Sequence, residues 1–232
     1  MAYTYRASSS AGNASGAGVT LNKPTGTADG DLLVVVAYLE ADTNTWSSVG
    51  SGFSSITTQA NTGSFLLQVW WKWAASEPAS WTWTPTSSNW RTVVCAAYSG
   101  GGGSGSVPDV SGGSQGDGIN PNTSQTAPSV TTTAANDMLT FAYGNFNGNN
   151  VTATTGAATN LRISFGGVTI ADATIATASA TGTTAPSAGA VATEDYAAIH
   201  AALFLSPGGG AVTLRERQYP RGVERGIMRG AR

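Results

Sequence analysis

One histidine, His200, and one cysteine, Cys95, bound the chemistry open to this 232-residue chain. Multi-histidine metal centres need ligands it lacks, and a lone imidazole argues against a serine triad. Cys95 can close no disulfide within the chain. It sits in the apolar run RTVVCAAYSG, where a small buried core residue is expected. The carboxylate pairs Glu40/Asp42 and Glu194/Asp195 are near neighbours in sequence, whereas glycoside hydrolysis needs two carboxyls converging from separate places. They read as solvated turn residues. In GGGGSG, Gly100, Gly102 and Gly105 match a dinucleotide-loop spacing, but SVPDVSGG follows where a helix should open, so the match reflects composition. The loops around Asp109, Asp117 and Asn120 lack calcium-loop spacing. The expectation is a protein with no catalytic residues, no cofactor and no metal.

Tryptophan is the residue type whose placement asks for a reason. Six of the seven fall between positions 70 and 90: Trp70, Trp71, Trp73, Trp81, Trp83 and Trp90. Strand alternation puts Phe65, Leu67, Val69, Trp71 and Trp73 on a core face and leaves Trp70 beside Gln68 and Lys72 on the other. Core packing accounts for most of these rings. Trp70, Trp81, Trp83 and Trp90 are the candidates for a subunit interface or a glycan platform.

The elements that must position these residues are strands. DLLVVVAYLE, SFLLQVWWKWAA, SWTWTP, RTVVCAAYSG, DMLTFAYGNF, LRISFGGVTIADATIATA and YAAIHAALFLS are apolar or alternating runs separated by Gly, Ser, Asn and Pro. In the last run, alternation places Ile199, Ala201 and Leu203 on one face and Tyr196, His200 and Phe204 on the other, which gives His200 a structural role. GTADGDLLVVVAY (26–38) resembles TTAANDMLTFAY (132–143), each ending in an Ala-Tyr pair. Hairpins at 65–85 and 161–186 and a closing strand follow in each half. Two half-repeats, about 17–100 and 127–206, would each expose one sheet face and bury it against the other. The expected fold is an all-β antiparallel sandwich of jelly-roll or Greek-key type over residues 1–206. The Gly/Ser-rich stretch 101–126 is either an interdomain linker or, preferred here, a surface crossover within one sandwich.

Charge is unevenly spread. Residues 1–210 hold five basic against eleven acidic side chains, whereas 211–232 hold six arginines against Glu216 and Glu224. The stretch 207–232 is too poor in apolar residues to fold alone and reads as an extended basic arm. Arg215, Arg217, Arg221, Arg225 and Arg229, with Tyr219 and Ile227 among them, suit a protein partner: guanidinium groups for carboxylates, apolar side chains for shallow pockets. The interleaved apolar residues and glutamates argue against nucleic acid. MAYTYRASSS lacks the features of a secretory leader, and no apolar run approaches the ~18 residues of a membrane span. A soluble chain not exported by the usual route is expected, and a virus particle reconciles this with an extracellular-type composition.

The pattern PTGTADGDLLVVVAYLE, GFSSI and FLLQVWWKWAASEPASWTWTPTSSNWRTVVCAAYSG resembles a β-sandwich module of bacteriophage structural and tail-fibre proteins. The resemblance covers about residues 17–206, is strongest in the first half, and carries no catalytic residues. It implies a virion structural protein, with capsid decoration or a minor head role preferred to a tail-fibre, receptor-binding one. Partners would be other virion subunits and further copies of the chain. The rival is a carbohydrate-binding module with a host-surface glycan as ligand.

Overall fold

The computed structural model describes residues 3–13, 18–41, 43–61, 64–87, 89–101, 107–116, 125–189 and 195–204. These hold fifteen strands and no helix. The first repeat comprises β1 (Thr4–Asn13), β2 (Val19–Asn22), β3 (Leu32–Glu40), β4 (Trp46–Ser48), β5 (Ser54–Asn61), β6 (Phe65–Trp73), β7 (Ser80–Pro85) and β8 (Arg91–Ser99). The second comprises β9 (Pro108–Gly116), β10 (Asp137–Asn145), β11 (Ala153–Gly156), β12 (Asn160–Phe165), β13 (Val168–Ile175), β14 (Thr184–Ala188) and β15 (Tyr196–Leu203).

The duplication extends strand for strand. One five-stranded sheet runs β1-β8-β3-β6-β5 and the other β9-β15-β10-β13-β12, with equivalent strands in equivalent places. Each edge crosses the opposite sheet in a matched way, β1 over β12 and β9 over β5. The antiparallel sandwich is thus a two-fold-like pairing of two similar halves. Its central core joins Leu32, Val34, Val36, Leu67 and Val94 to Met138, Ala142, Ile170, Ile199 and Leu203.

Two outer layers enlarge this picture. The small sheet β2-β7-β4 covers the outer face of the first large sheet, packing Leu21, Trp81 and Trp83 on Leu33, Val35 and Cys95. The pair β11-β14, with bridges from Ala127 and Thr131, covers the second, over Leu139, Phe141 and Tyr143. Burial on both faces is why LLVVVAYL and VVCAAY are apolar at every position instead of alternating.

Several expectations change. Spans 65–85 and 161–186 are not single hairpins: β6 and β7 lie in different layers, as do β13 and β14. The true hairpins are β5–β6 and β12–β13. The chain leaves β6 through a turn tied by Glu77, which pairs with Lys72 (2.7 Å) and accepts the Trp81 indole N–H (3.1 Å). The first repeat starts at β1, ahead of residue 17. The crossover 101–126 contains β9, an edge strand hydrogen-bonded to β15. Its Gly/Ser composition hid it; the small side chains admit close neighbours, with Val130 Cγ1 only 3.1 Å from where a Cβ on Gly112 would stand. Asp42, Gly102, Gly105, Asp117, Asn120, Glu194 and the arm, including Arg215, Arg217, Tyr219, Arg221, Arg225, Ile227 and Arg229, lie outside the described residues.

Candidate functional site

Burial separates the candidate tryptophans. Trp83 is 0% and Trp81 3% exposed, both within the outer core of the first repeat, so neither has a face to offer a partner. Trp70 does lie on the face opposite Trp71, but that face is covered. Its ring packs edge-on against Trp83 at 5.9 Å. The expected interface or glycan role is therefore corrected for Trp81 and Trp83, and Trp70 is a half-buried packing residue. Trp90 alone among the four is open, at 41%.

The other exposed large apolar side chains among the described residues are Phe146 (44%) and Phe165 (41%). All three gather at one end of the sandwich. Trp90 precedes β8, Phe146 follows β10, and Phe165 ends β12 against Gly12 of β1. A cleft of about 240 Å³ lies between the first two, lined by Tyr38, Glu40, Trp90, Phe146, Asn147 and Gly148. It straddles the two repeats.

Both walls are held by local hydrogen bonds. Glu40 and Trp90 are tied reciprocally: the Glu40 N–H donates to the Trp90 carbonyl (2.9 Å), and the Trp90 N–H donates to Glu40 Oε2 (3.0 Å). On the other wall, the Asn145 amide donates to the Asn149 carbonyl (2.7 Å) and accepts the Asn149 N–H (2.9 Å), closing the turn that carries Phe146. The Phe146 N–H donates to the Asp195 carbonyl (3.0 Å). Gly167 packs against this turn; a Cβ there would fall 2.8 Å from Gly148 Cα. At the cleft floor, burial and then the charges of Glu40 and Asp195 push the Tyr38 phenol well above its ordinary value, so it remains protonated. The arrangement offers two fixed aromatic surfaces beside a carboxylate and a side-chain amide, a combination suited to binding an apolar or hydroxyl-rich group. The signal for Phe146 was present in YGNFNGNN, an aromatic set among turn residues, but a strand reading absorbed it.

The lone histidine and the lone cysteine are both packed in the cores. His200 is fully buried; its Nδ1–H donates to the Pro128 carbonyl (2.8 Å), and burial lowers its pKa to about 4. Cys95 is buried, and burial raises its thiol far above the ordinary value. Gly112, Ser114 and Gly116 have the G-x-S-x-G spacing of a nucleophile elbow, which the sequence reading passed over. They lie within β9 and not at a strand-to-helix turn, and the Ser114 hydroxyl donates to the Thr126 carbonyl. Among the described residues no three His, Cys, Asp or Glu side chains group as metal ligands, and no helix is long and apolar enough to cross a membrane.

The cleft and Phe204, the last of the described residues, lie at opposite ends. β15 begins at Tyr196, paired with Asn145 beside Phe146, and ends at Leu203, paired with Met138. The separation is roughly 24 Å at the usual rise per residue. Phe204 is fixed there, donating its N–H to Val107 (2.6 Å) and accepting the Tyr3 hydroxyl (2.9 Å). Comparison of the chain with protein-family models, with curated proteins and with solved structures finds no match.

Proposed function

We propose that this protein is a non-enzymatic structural module of a bacteriophage particle, a capsid decoration or minor head protein held through its arginine-rich 207–232 segment. The observation that supports the reading is polarity. The exposed aromatic rings among the described residues gather at one end of a duplicated sandwich, and β15, the last described strand before the basic segment, ends at the other. One end is free to be anchored while the other faces outward. The phage assignment rests on the sequence resemblance, with arginines as the anchor and other virion subunits as the partners. Fractionating particles into heads and tails tests it: the chain should travel with heads. Travel with tails would favour the tail-fibre alternative, and absence from both fractions would overturn the reading.

A second reading, a carbohydrate-binding module, draws on the chemistry of the cleft. Trp90 and Phe146 could flank a sugar ring while Glu40 and Asn147 bond its hydroxyls. Saturable binding to a neutral oligosaccharide panel, lost in Trp90→Ala, would favour it. A silent panel would remove it.

A further inference from the structure

The two repeats treat one equivalent position in opposite ways. β1 carries a bulge at Arg6, between the pairs Tyr5–Tyr98 and Ala7–Ala97. β9 carries the matching bulge at Asp109, between Pro108–Leu203 and Val110–Ala202. In the first repeat the bulge residue grips the aspartate just before β3: Arg6 Nε lies 2.7 Å from Asp31 Oδ2, and Nη2 donates to Oδ1 at 3.0 Å. The equivalent of Asp31 is Asp137, which opens β10, and its bulge partner is Asp109. A guanidinium–carboxylate pair in one half is a carboxyl–carboxyl pair in the other.

Two ionised carboxylates cannot hydrogen-bond to each other, since both only accept. Asp137 is fully buried and no side-chain donor reaches either of its oxygens; the backbone at Ala134 is the one group that favours its charged form. Asp109 is better supplied, taking the Thr133 N–H (2.6 Å) and the Thr133 hydroxyl. A positive charge or a proton is required here to replace Arg6. A metal ion would need more ligands than two carboxyls, and among the described residues no third acidic, histidine or cysteine side chain joins them.

We propose that Asp109 and Asp137 bind one shared proton in the place where the first repeat binds a guanidinium, making a pH-sensitive clasp. The clasp ties the edge strand β9 to the start of β10, beside Leu203 at the end of β15. Asp137 is the group that carries the proton. Burial, the hydrogen bond with Asp109 and the charge of Asp109 raise it to about 7, against an opposing hydrogen bond from the Ala134 backbone. Burial pushes Asp109 up as well, but the two Thr133 bonds and the Asp137 acid bring it below its ordinary value. Tyr3 also faces the pair, and its phenol is raised by burial and by the Asp137 charge, so it stays neutral. The neighbours across the sheet, Ile175 on β13 and Leu203 beside Met138 on β15, carry no charge.

The folded protein thus holds a proton that the unfolded chain releases near pH ~4. Stability from this group is full below that pH, falls as pH rises through about 7, and is flat above. Thermal unfolding of the full chain at pH 6.5 to 9 tests this, with Asp137→Asn, whose amide mimics the protonated acid, and Asp109→Arg, which rebuilds the first repeat's pair. Wild type should lose Tm across pH 7 while both variants stay level, with Asp137→Asn above wild type at pH 9. Parallel curves for all three would overturn the clasp. So would a calcium- or magnesium-dependent rise in wild-type Tm that Asp137→Asn lacks, because the site would then be a metal site. If a variant fails to fold, carbon NMR of the wild-type carboxyls decides: the pair should show one titration step near pH 7, and its absence would refute the proposal.

Discussion

Tyr38 of β3 and Gly144 of β10 hold equivalent places in the two repeats and touch across the central core. A Cβ built on Gly144 would stand 3.5 Å from Tyr38 Cδ2 and 2.9 Å from Leu67 Cδ1. One repeat supplies the ring and the other supplies the room for it. Gly144→Ala should therefore cost about 1 kcal/mol, since the tip of Leu67 can turn aside, and Gly144→Val about 2–3 kcal/mol. Urea denaturation measures both. A double-mutant cycle of Gly144→Val with Leu67→Ala should show the pair to be non-additive, because truncating Leu67 vacates the space that the new methyl groups need.

The same pair shows where sequence reading stops. Aligning the Ala-Tyr pairs of VVVAY and LTFAY equates Tyr38 with Tyr143. Side-chain direction rejects this: Tyr38 faces the central core, whereas Tyr143 faces the outer layer and donates its hydroxyl to Gln125. The repeats match from Asp31 and Asp137 onward, one residue out of step with the visible motif. Strand content, duplication and the face of His200 were legible because period-two alternation carries them. The outer layers were not, since a strand buried on both faces loses its alternation, and neither was β9, an edge strand built from Gly and Ser. The cleft joins residues far apart in sequence, and no local pattern announces it.

The tryptophans should divide by burial and not by neighbourhood. Trp83→Ala empties a packed site among Trp46, Phe53 and Trp70 and should cost ~3–5 kcal/mol. Trp90→Ala and Phe146→Ala remove rings already half in water and should stay within about 0.5–1 kcal/mol of wild type. Equal losses in chemical denaturation would mean that Trp90 is a core residue and would remove the cleft as a binding surface.

His200 gives a pH dependence opposite to that of the Asp109–Asp137 pair. Its pKa is depressed to about 4, so between pH 4 and ~6.5 the unfolded chain binds a proton that the folded one does not. Stability from this residue is present above ~6.5 and is lost as pH falls toward 4. Imidazole NMR should show a titration midpoint near pH 4 with little change above about pH 5, and His200→Gln should flatten the acid limb alone. The two slopes oppose each other between pH 4 and 6.5, so the acid pair is best observed above that window.

Anchoring and recognition should come apart when the two ends are altered separately. The 207–232 segment is too poor in apolar residues to fold alone, so deleting 211–232 should leave the melting temperature nearly unchanged. It should abolish incorporation into particles if the arginines are the anchor. Replacing Arg217, Arg221 and Arg225 with Ala should weaken incorporation and make the remainder less salt-sensitive, because exposed ion pairs are screened over a Debye length of ~8 Å at physiological ionic strength. The pair Trp90→Ala and Phe146→Ala should do the reverse: normal incorporation through an intact segment, with loss of whatever partner or glycan the outward end engages, since truncating an aromatic anchor costs ~2 kcal/mol or more at an interface. Normal incorporation of the truncated chain would refute the anchor. Loss of incorporation in the aromatic double variant, with its fold intact, would place the anchor at the cleft end and reverse the polarity proposed for the module.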